Sequence, residues 1–272
     1  MTVNLASDLA TSPVTAHSEP SAAGRRDALK QVYAQAQACT RCAELAATRK
    51  TVVFGAGDAN AELMFIGEAP GASEDEQGLP FVGAAGKLLE KLLGEIGMTR
   101  SQVFIANTLK CRPPANRDPQ PVEIENCKEY LYRQVELIQP SVICTLGNFA
   151  TKLLREDPAG ITRVHGQPQV TILGRRAVRL YPIFHPAAAL YTPRMLETLR
   201  EDFARLPELL ALGPPEQPPG RRDDDRVEAP EANPTELLDQ AASLRAQVAE
   251  QDAEQGVDDA PAEAAVDQLG LF

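Results

Sequence analysis

The sequence predicts an α/β fold, a three-layer α/β/α sandwich around a mostly parallel central sheet. Two observations carry that expectation. Over residues 25–212, short apolar runs that read as strands alternate with segments of helical periodicity. The strand runs are also apolar along their length, as strands are when helices cover both faces of a sheet.

The elements follow in order. A first helix precedes Cys39. Residues 62–67 (ELMFIG) form a short apolar run ending at Gly67, a buried strand. In 84–97 the apolar residues Leu88, Leu89, Leu92, Leu93 and Ile96 share one helical face, and Gly97 is the stop signal. Residues 103–107 make the second strand. Pro121–Ile138 reads as a helix with proline in its first turn, where a missing N–H costs nothing. A third strand at 141–146 and a short helix at 148–155 come next, then strands at Gln169–Leu173 and 177–184 with Gly174 between them. Residues 193–212 read as one final amphipathic helix. Ligands of such sheets bind at the carboxyl ends of the strands.

The flanks differ in composition. Residues 1–24 are rich in Ala, Ser, Thr and Pro without periodicity and read as a disordered tail that includes His17. Residues 213–267 read as an acidic, Pro-rich disordered linker, with Pro214, Pro215, Pro218 and Pro219 at its start and weak helical character over 235–250. The net charge of −11 therefore misleads: residues 1–24 carry −2, residues 213–272 carry −11, and residues 25–212 carry +2. The near-neutral body can hold a basic groove, so nucleic acid stays open as a partner. No apolar run approaches the ~20 residues of a membrane span. The N-terminus has no basic start followed by an apolar run, and five cysteines in 272 residues do not make a disulfide scaffold. A cytoplasmic protein without a membrane partner is expected.

Several residues could carry chemistry. Cys39-x2-Cys42, Cys111 and Cys127 are clustered thiols, open to reading as a zinc site, an iron–sulfur site, a redox pair or unrelated core cysteines. Cys144, mid-strand, reads as a small core residue. Gly67-Glu68-Ala69-Pro70-Gly71 forces a tight turn directly after a strand, either an ordinary βα turn or a place where backbone approaches a ligand. Phe81, in Gly78-Leu79-Pro80-Phe81-Val82-Gly83, is a core plug or a platform for a base. Asn107 ends the second strand and offers a donor and an acceptor together, which suits the edge of a pyrimidine. His185 ends the last strand, as a ligand-facing group or a structural one. His165 reads as a turn residue.

Taken together, Cys39-x2-Cys42, GEAPG at 67–71, GLPFVG at 78–83, NTLKCRPPANRDP at 107–119, Cys127 and HPAAALY at 185–191 resemble family 4 uracil-DNA glycosylases, the iron–sulfur type found in many bacteria and archaea. The resemblance covers about residues 29–210. It implies a glycosylase domain that flips uracil out of DNA and hydrolyses the N-glycosidic bond, leaving an abasic site. It implies a [4Fe–4S] cluster on Cys39, Cys42, Cys111 and Cys127. Phe81 would stack on the base, Asn107 would bond its polar edge, and His185 would face the carbonyl oxygen beside the broken bond. Glu68 and Ala69 would line the pocket, and Glu74 would stand against C5, where thymine carries a methyl. The loop 187–191 would enter the minor groove with Leu190, next to Tyr191, as the wedge. In the best-known uracil glycosylases a carboxylate stands where this chain has Ala69, which leaves Glu68 as the candidate to position water. A related class carries GEQPG and links covalently to DNA through a histidine in an inserted loop; residues 112–125 contain none.

The chain closes on Gln268-Leu269-Gly270-Leu271-Phe272, which resembles the bacterial sliding-clamp-binding peptide. The expected partners are uracil-containing DNA and the clamp, for a monomer associated with the nucleoid. Two other readings stand beside this one. A catalytically silent DNA binder of the same fold, recruited by the clamp, would explain Ala69. A metal-dependent hydrolase unrelated to DNA would need an open coordination position, which four thiolates leave closed.

Overall fold

A computed structural model describes residues 22–190 and 192–219. His17, Tyr191 and Gln268 to Phe272 lie outside the described residues, as does most of the predicted linker. The elements run α1 (Ala22–Gln37), α2 (Ala43–Thr48), β1 (Ala56–Gly57), β2 (Leu63–Gly67), α3 (Ala72–Gln77), α4 (Ala84–Glu95), β3 (Phe104–Asn107), α5 (Pro121–Ile138), β4 (Val142–Leu146), α6 (Gly147–Arg155), α7 (Ile161–Val164), β5 (Gln169–Leu173), β6 (Arg176–Ile183), α8 (Pro186–Ala189), α9 (Pro193–Ala204) and α10 (Leu206–Ala211), with short 3-10 turns at Arg100–Gln102 and Pro114–Asn116.

The six strands form one sheet in the order β1-β3-β2-β4-β6-β5. The inner four are parallel, and β1 and β5 pair antiparallel at the two edges. The period of two along a strand divides each apolar run between two cores. Met64 and Ile66 face Leu29 and Val32 of α1 and Leu131, Val135 and Ile138 of α5. Leu63 and Phe65 face Leu89, Leu92 and Leu93 of α4 and Leu199 and Phe203 of α9. Helices thus cover both faces, as the continuous apolar runs require. Phe65 is fully buried; truncating such a ring to alanine costs about 3–5 kcal/mol. The edge strand β5 departs from the pattern, alternating in burial with Val170 and Ile172 exposed.

The connections explain where the site lies. From β2 the chain passes through α3 and α4 to β3 on one side. From β3 it passes through α5 to β4 on the other side of β2. Outgoing connections diverge at the carboxyl end of β2, which opens a crevice there. Gly67 and Asn107 sit opposite each other at that edge.

Some boundaries differ from the sequence reading. Residues 193–212 form two helices instead of one, because Pro207 has no N–H to carry the ladder through the first turn of α10. In the predicted loop 187–191, Ala187 to Ala189 belong to the short helix α8 and Leu190 follows it. Helices α2 and α3 have six residues each, too few for periodicity to register.

Candidate active site

The crevice is built from backbone that only certain residues allow. A Cβ on Gly67 would overlap the Asn107 amide oxygen and lie 2.8 Å from Phe81 Cζ. The end of β2 therefore serves as a floor against which an amide and a ring are pressed. Phe81 itself has φ of 52°, a left-handed conformation that an aromatic residue rarely adopts. Its carbonyl lies against Gly86 in the first turn of α4, where a Cβ would collide with it. The amides that follow it are held as well. Glu74 Oε1 accepts the N–H groups of Val82 at 3.0 Å and Gly83 at 3.1 Å.

Asn107 is buried, and its Oδ1 has no hydrogen-bond partner among the described residues. A buried amide oxygen left without a donor costs roughly 1–3 kcal/mol, so it marks a place where a ligand donor fits. Its backbone is fixed on two sides. Thr108 N–H donates to the Gly67 carbonyl at 2.9 Å, and Lys110 Nζ donates to the Asn107 carbonyl at 2.9 Å.

His185 faces Phe81, with ring centroids 5.5 Å apart and planes inclined by 30°. Its Nδ1 accepts the Ala187 N–H at 3.1 Å, at the start of α8. Burial pulls its pKa down from 6.5 to about 4, against a smaller opposing pull from the Glu74 carboxylate. The ring is therefore neutral near pH 7. With Nδ1 occupied as an acceptor, its one proton sits on Nε2, a ready donor. Gly147, at φ of 85°, lets the next turn pass within 3.0 Å of the His185 side chain, counted from where its Cβ would be.

The other site residues lie close by in the chain. Glu68 is half-buried. Burial, and then the negative charge of Asp118, raise its pKa. Its carbonyl accepts the Thr108 hydroxyl and the Leu109 N–H. Ala69 has no ionisable side chain and packs against the apolar cluster of Leu45, Leu109 and Cys127. Leu190 is an exposed large apolar residue directly after α8.

The four clustered thiols come together. Cys39, Cys42, Cys111 and Cys127 line one small cavity, along with Leu45, Leu109 and Tyr130. Cys42 directly precedes α2, and Cys127 is a buried residue of α5. Among the described residues no three thiol, imidazole or carboxylate groups converge closely enough to share one metal ion. The cysteine sulfurs are already met by donors: Arg49 Nη1 reaches Cys111 Sγ at 3.2 Å, and the Lys110 N–H reaches Cys127 Sγ at 3.3 Å. Burial raises Cys127 to about 12, and it raises Cys111 despite the Arg49 charge. At Cys39, burial is outweighed by hydrogen bonds from Tyr130 and Arg41, which hold the thiol low. Lys110 is fully buried, its Nζ donating to the Asn107 carbonyl and to Gln134 Oε1; burial lowers it to about 8, and charge at Cys127 and then Cys111 would oppose the fall. Cys144 stays apart, wholly buried mid-strand in β4.

Lys110, Arg49 and Arg100 were not singled out from the sequence. A lysine beside Cys111 in NTLKC was the one visible signal, since a charge at the end of an apolar strand has to find partners.

The family model for the uracil DNA glycosylase superfamily matches residues 54–208. The chain belongs to the uracil DNA glycosylase superfamily. The match spans the strands β1 to β6 and the crevice at their ends. Curated relatives agree. A Type-4 uracil-DNA glycosylase of Sulfurisphaera tokodaii is 45% identical over 67% of this chain and 85% of its own length. One of Archaeoglobus fulgidus is 43% identical over 67% of this chain and 94% of its own, and one of Saccharolobus solfataricus is 44% identical over 69% and 89%. Within the matched span Gly67 and Asn107 pair at the ends of β2 and β3, and Phe81 faces His185. No described helix is long and apolar enough to cross a membrane.

Proposed function

We propose that the chain is a monofunctional uracil-DNA glycosylase acting in base excision repair. The observation that carries the reading is the unpartnered, buried Asn107 oxygen between the Phe81 and His185 rings' end of the crevice and the bare Gly67 backbone. Uracil has what this space lacks. Its N3–H is a donor for Asn107 Oδ1, its O4 an acceptor for the amide nitrogen, and its flat face a partner for Phe81. Glu74, whose carboxylate lies beside the Phe81 loop, would meet a 5-methyl group and so exclude thymine.

The chemistry follows from charge. The nucleotide must leave the stack before its glycosidic bond can be reached, and Leu190, with Tyr191 after it, would fill the space it vacates. Cleavage places negative charge on the uracil and positive charge on the sugar. The neutral His185, donating from Nε2 to the developing oxyanion, would stabilise that state by about 3 kcal/mol. Glu68 would orient the attacking water, a role the methyl group of Ala69 leaves open. Cys39, Cys42, Cys111 and Cys127 would hold a [4Fe–4S] cluster, which fastens α2, α5 and the loop after β3 to one another beside the DNA surface.

Residues 25–212 form the glycosylase domain in this reading, working as a monomer in the nucleoid. Residues 213–267 would tether Gln268, Leu269, Leu271 and Phe272 to the sliding clamp, an apolar tip presented on a long reach. Deleting 268–272 should end clamp binding and leave activity on short oligonucleotides intact.

The deciding experiment is release of free uracil from a U:G duplex, with chelator present and no added metal. Release there, with none from a T:G duplex, supports the glycosylase. No release from cluster-loaded protein that still binds the duplex would favour the silent DNA binder, for which Ala69 speaks.

A further inference from the structure

Phe81 occupies a conformation that its own backbone opposes. Its φ of 52° costs an ordinary residue on the order of 1–3 kcal/mol, and it persists only when surrounding groups impose it. Two charged side chains from different elements do so. Arg100, in the 3-10 turn before β3, donates from Nη1 to the Phe81 carbonyl at 3.0 Å and from Nη2 to the Pro80 carbonyl. Glu74, in α3, accepts the Val82 and Gly83 N–H groups at 3.0 and 3.1 Å on the other side of the same residue. A cation takes the carbonyls before the turn and an anion takes the amides after it. The peptide dipoles at Phe81 are thereby locked at both ends.

Arg100 is itself placed with care. Its pKa is lowered by burial, and Glu90 of α4 opposes that fall at 3.3 Å from Nη1. An arginine drawn out of water to hold two main-chain carbonyls is a costly way to finish an ordinary loop. A planar fork that meets two adjacent carbonyls fixes direction as well as distance. The result is a ring pressed edge-on to Gly67 and inclined over His185.

We propose that Arg100 is a positioning residue for base recognition: it sets the Phe81 ring at the angle that stacks on the flipped base, with Glu74 as its counterpart. The inference rests on the reading of Phe81 as the stacking platform. Arg100 touches neither base nor DNA in this account and acts through Phe81 alone.

The test separates recognition of the base from binding of DNA. Two duplexes are compared, one carrying an uncleavable 2′-fluoro-2′-deoxyuridine and one carrying a tetrahydrofuran abasic site. Arg100→Leu should weaken binding of the fluorouridine duplex about tenfold, the worth of one stacking contact, and leave the abasic duplex within about twofold. Arg100→Lys, which keeps the charge but reaches one carbonyl, should fall between the two and covers the case in which Arg100→Leu does not fold. Phe81→Ala should show the same base-specific loss, and Arg100→Lys added to Phe81→Ala should lose nothing further. Equal weakening on both duplexes, or a further loss in the double variant, would overturn the inference and leave Arg100 a purely structural residue. If Phe81→Ala is base-specific and neither Arg100 variant is, the inference falls and the stacking reading stands. If Phe81→Ala binds both duplexes as the native chain does, the stacking reading falls and takes the inference with it.

Discussion

Gly67 and Asn107 are opposite residues of β2 and β3, and the space above the glycine Cα belongs to the asparagine amide. Register and composition meet at this point. A parallel pair brings the two strand ends level, and the absence of a side chain on one lets the other lie flat across it. Gly67→Ala should therefore keep the fold and lose the site. The methyl group would overlap Asn107 Oδ1 and push on the Phe81 ring. A displacement of about 1 Å in a positioning group costs on the order of a hundredfold in rate. Uracil release should fall by that order while circular dichroism stays unchanged; native turnover would mean that Asn107 does not bind the base from this position.

His185 should matter to the chemical step and not to association. With Nδ1 tied to Ala187, the ring offers Nε2–H to the leaving group. His185→Ala should lower the single-turnover rate more than about tenfold, as loss of an oxyanion donor does, and still bind uracil DNA. Unchanged turnover would remove His185 from the mechanism.

The same residue links folding to pH. The unfolded chain binds a proton at His185 near 6.5, and the folded chain does so only near 4. Between these values the unfolded state holds the extra proton, so acidification favours unfolding. The stability contributed is full above about 6.5 and is lost as pH falls toward about 4. His185→Asn should flatten this part of the profile. Urea midpoints at pH 7 and pH 5 check it: the native chain should lose more between them than the variant, and parallel profiles would contradict the low pKa.

Much of this was legible in the sequence, and the exceptions have a common cause. Pro121–Ile138 and Gln169–Leu173 were bounded to the residue, since proline, glycine and period mark both. The alternation of apolar runs and helices gave the sheet with its covered faces. Phe81, Asn107 and His185 could be proposed as site residues because each stands at the end or turn of an element. The motif at 107–119 pointed to Cys111. Arg100 and Lys110 were not recognisable in this way. Their roles depend on partners 20 and 24 residues away, Pro80 and Gln134, and no local pattern encodes a contact between elements. The left-handed φ of Phe81 was equally hidden, because only glycine, asparagine and aspartate signal that conformation by their identity.

The thiols give a prediction with a chemical readout. If a [4Fe–4S] group occupies their cavity, the purified chain should carry about four irons and four sulfides. Cys111→Ser, which changes a sulfur that Arg49 and the cavity both meet, should lower that content. Cys144→Ser should leave it unchanged, since Cys144 is buried in β4 away from the cavity. Zinc in place of iron, or equal loss from both variants, would refute the assignment.

Turnover should proceed without a covalent adduct to DNA. The related class that forms one uses a histidine in an inserted loop, and residues 112–125 have none. Their place is taken by a short turn at Pro114–Asn116 and the start of α5, where Arg112 Nε donates to Asn116 Oδ1 at 2.8 Å. The remaining histidine of the crevice, His185, is a poor substitute nucleophile. Its Nδ1 lone pair accepts the Ala187 N–H, and the nitrogen left free to face the sugar carries the proton. An attack from Nε2 would first require the ring to change tautomer and break that bond. Uracil DNA mixed with the native chain should therefore migrate as free DNA on a denaturing gel at every time point, while free uracil accumulates. A retarded band that survives denaturation, and that disappears in His185→Ala, would show that the ring is less firmly held than its bond to Ala187 implies.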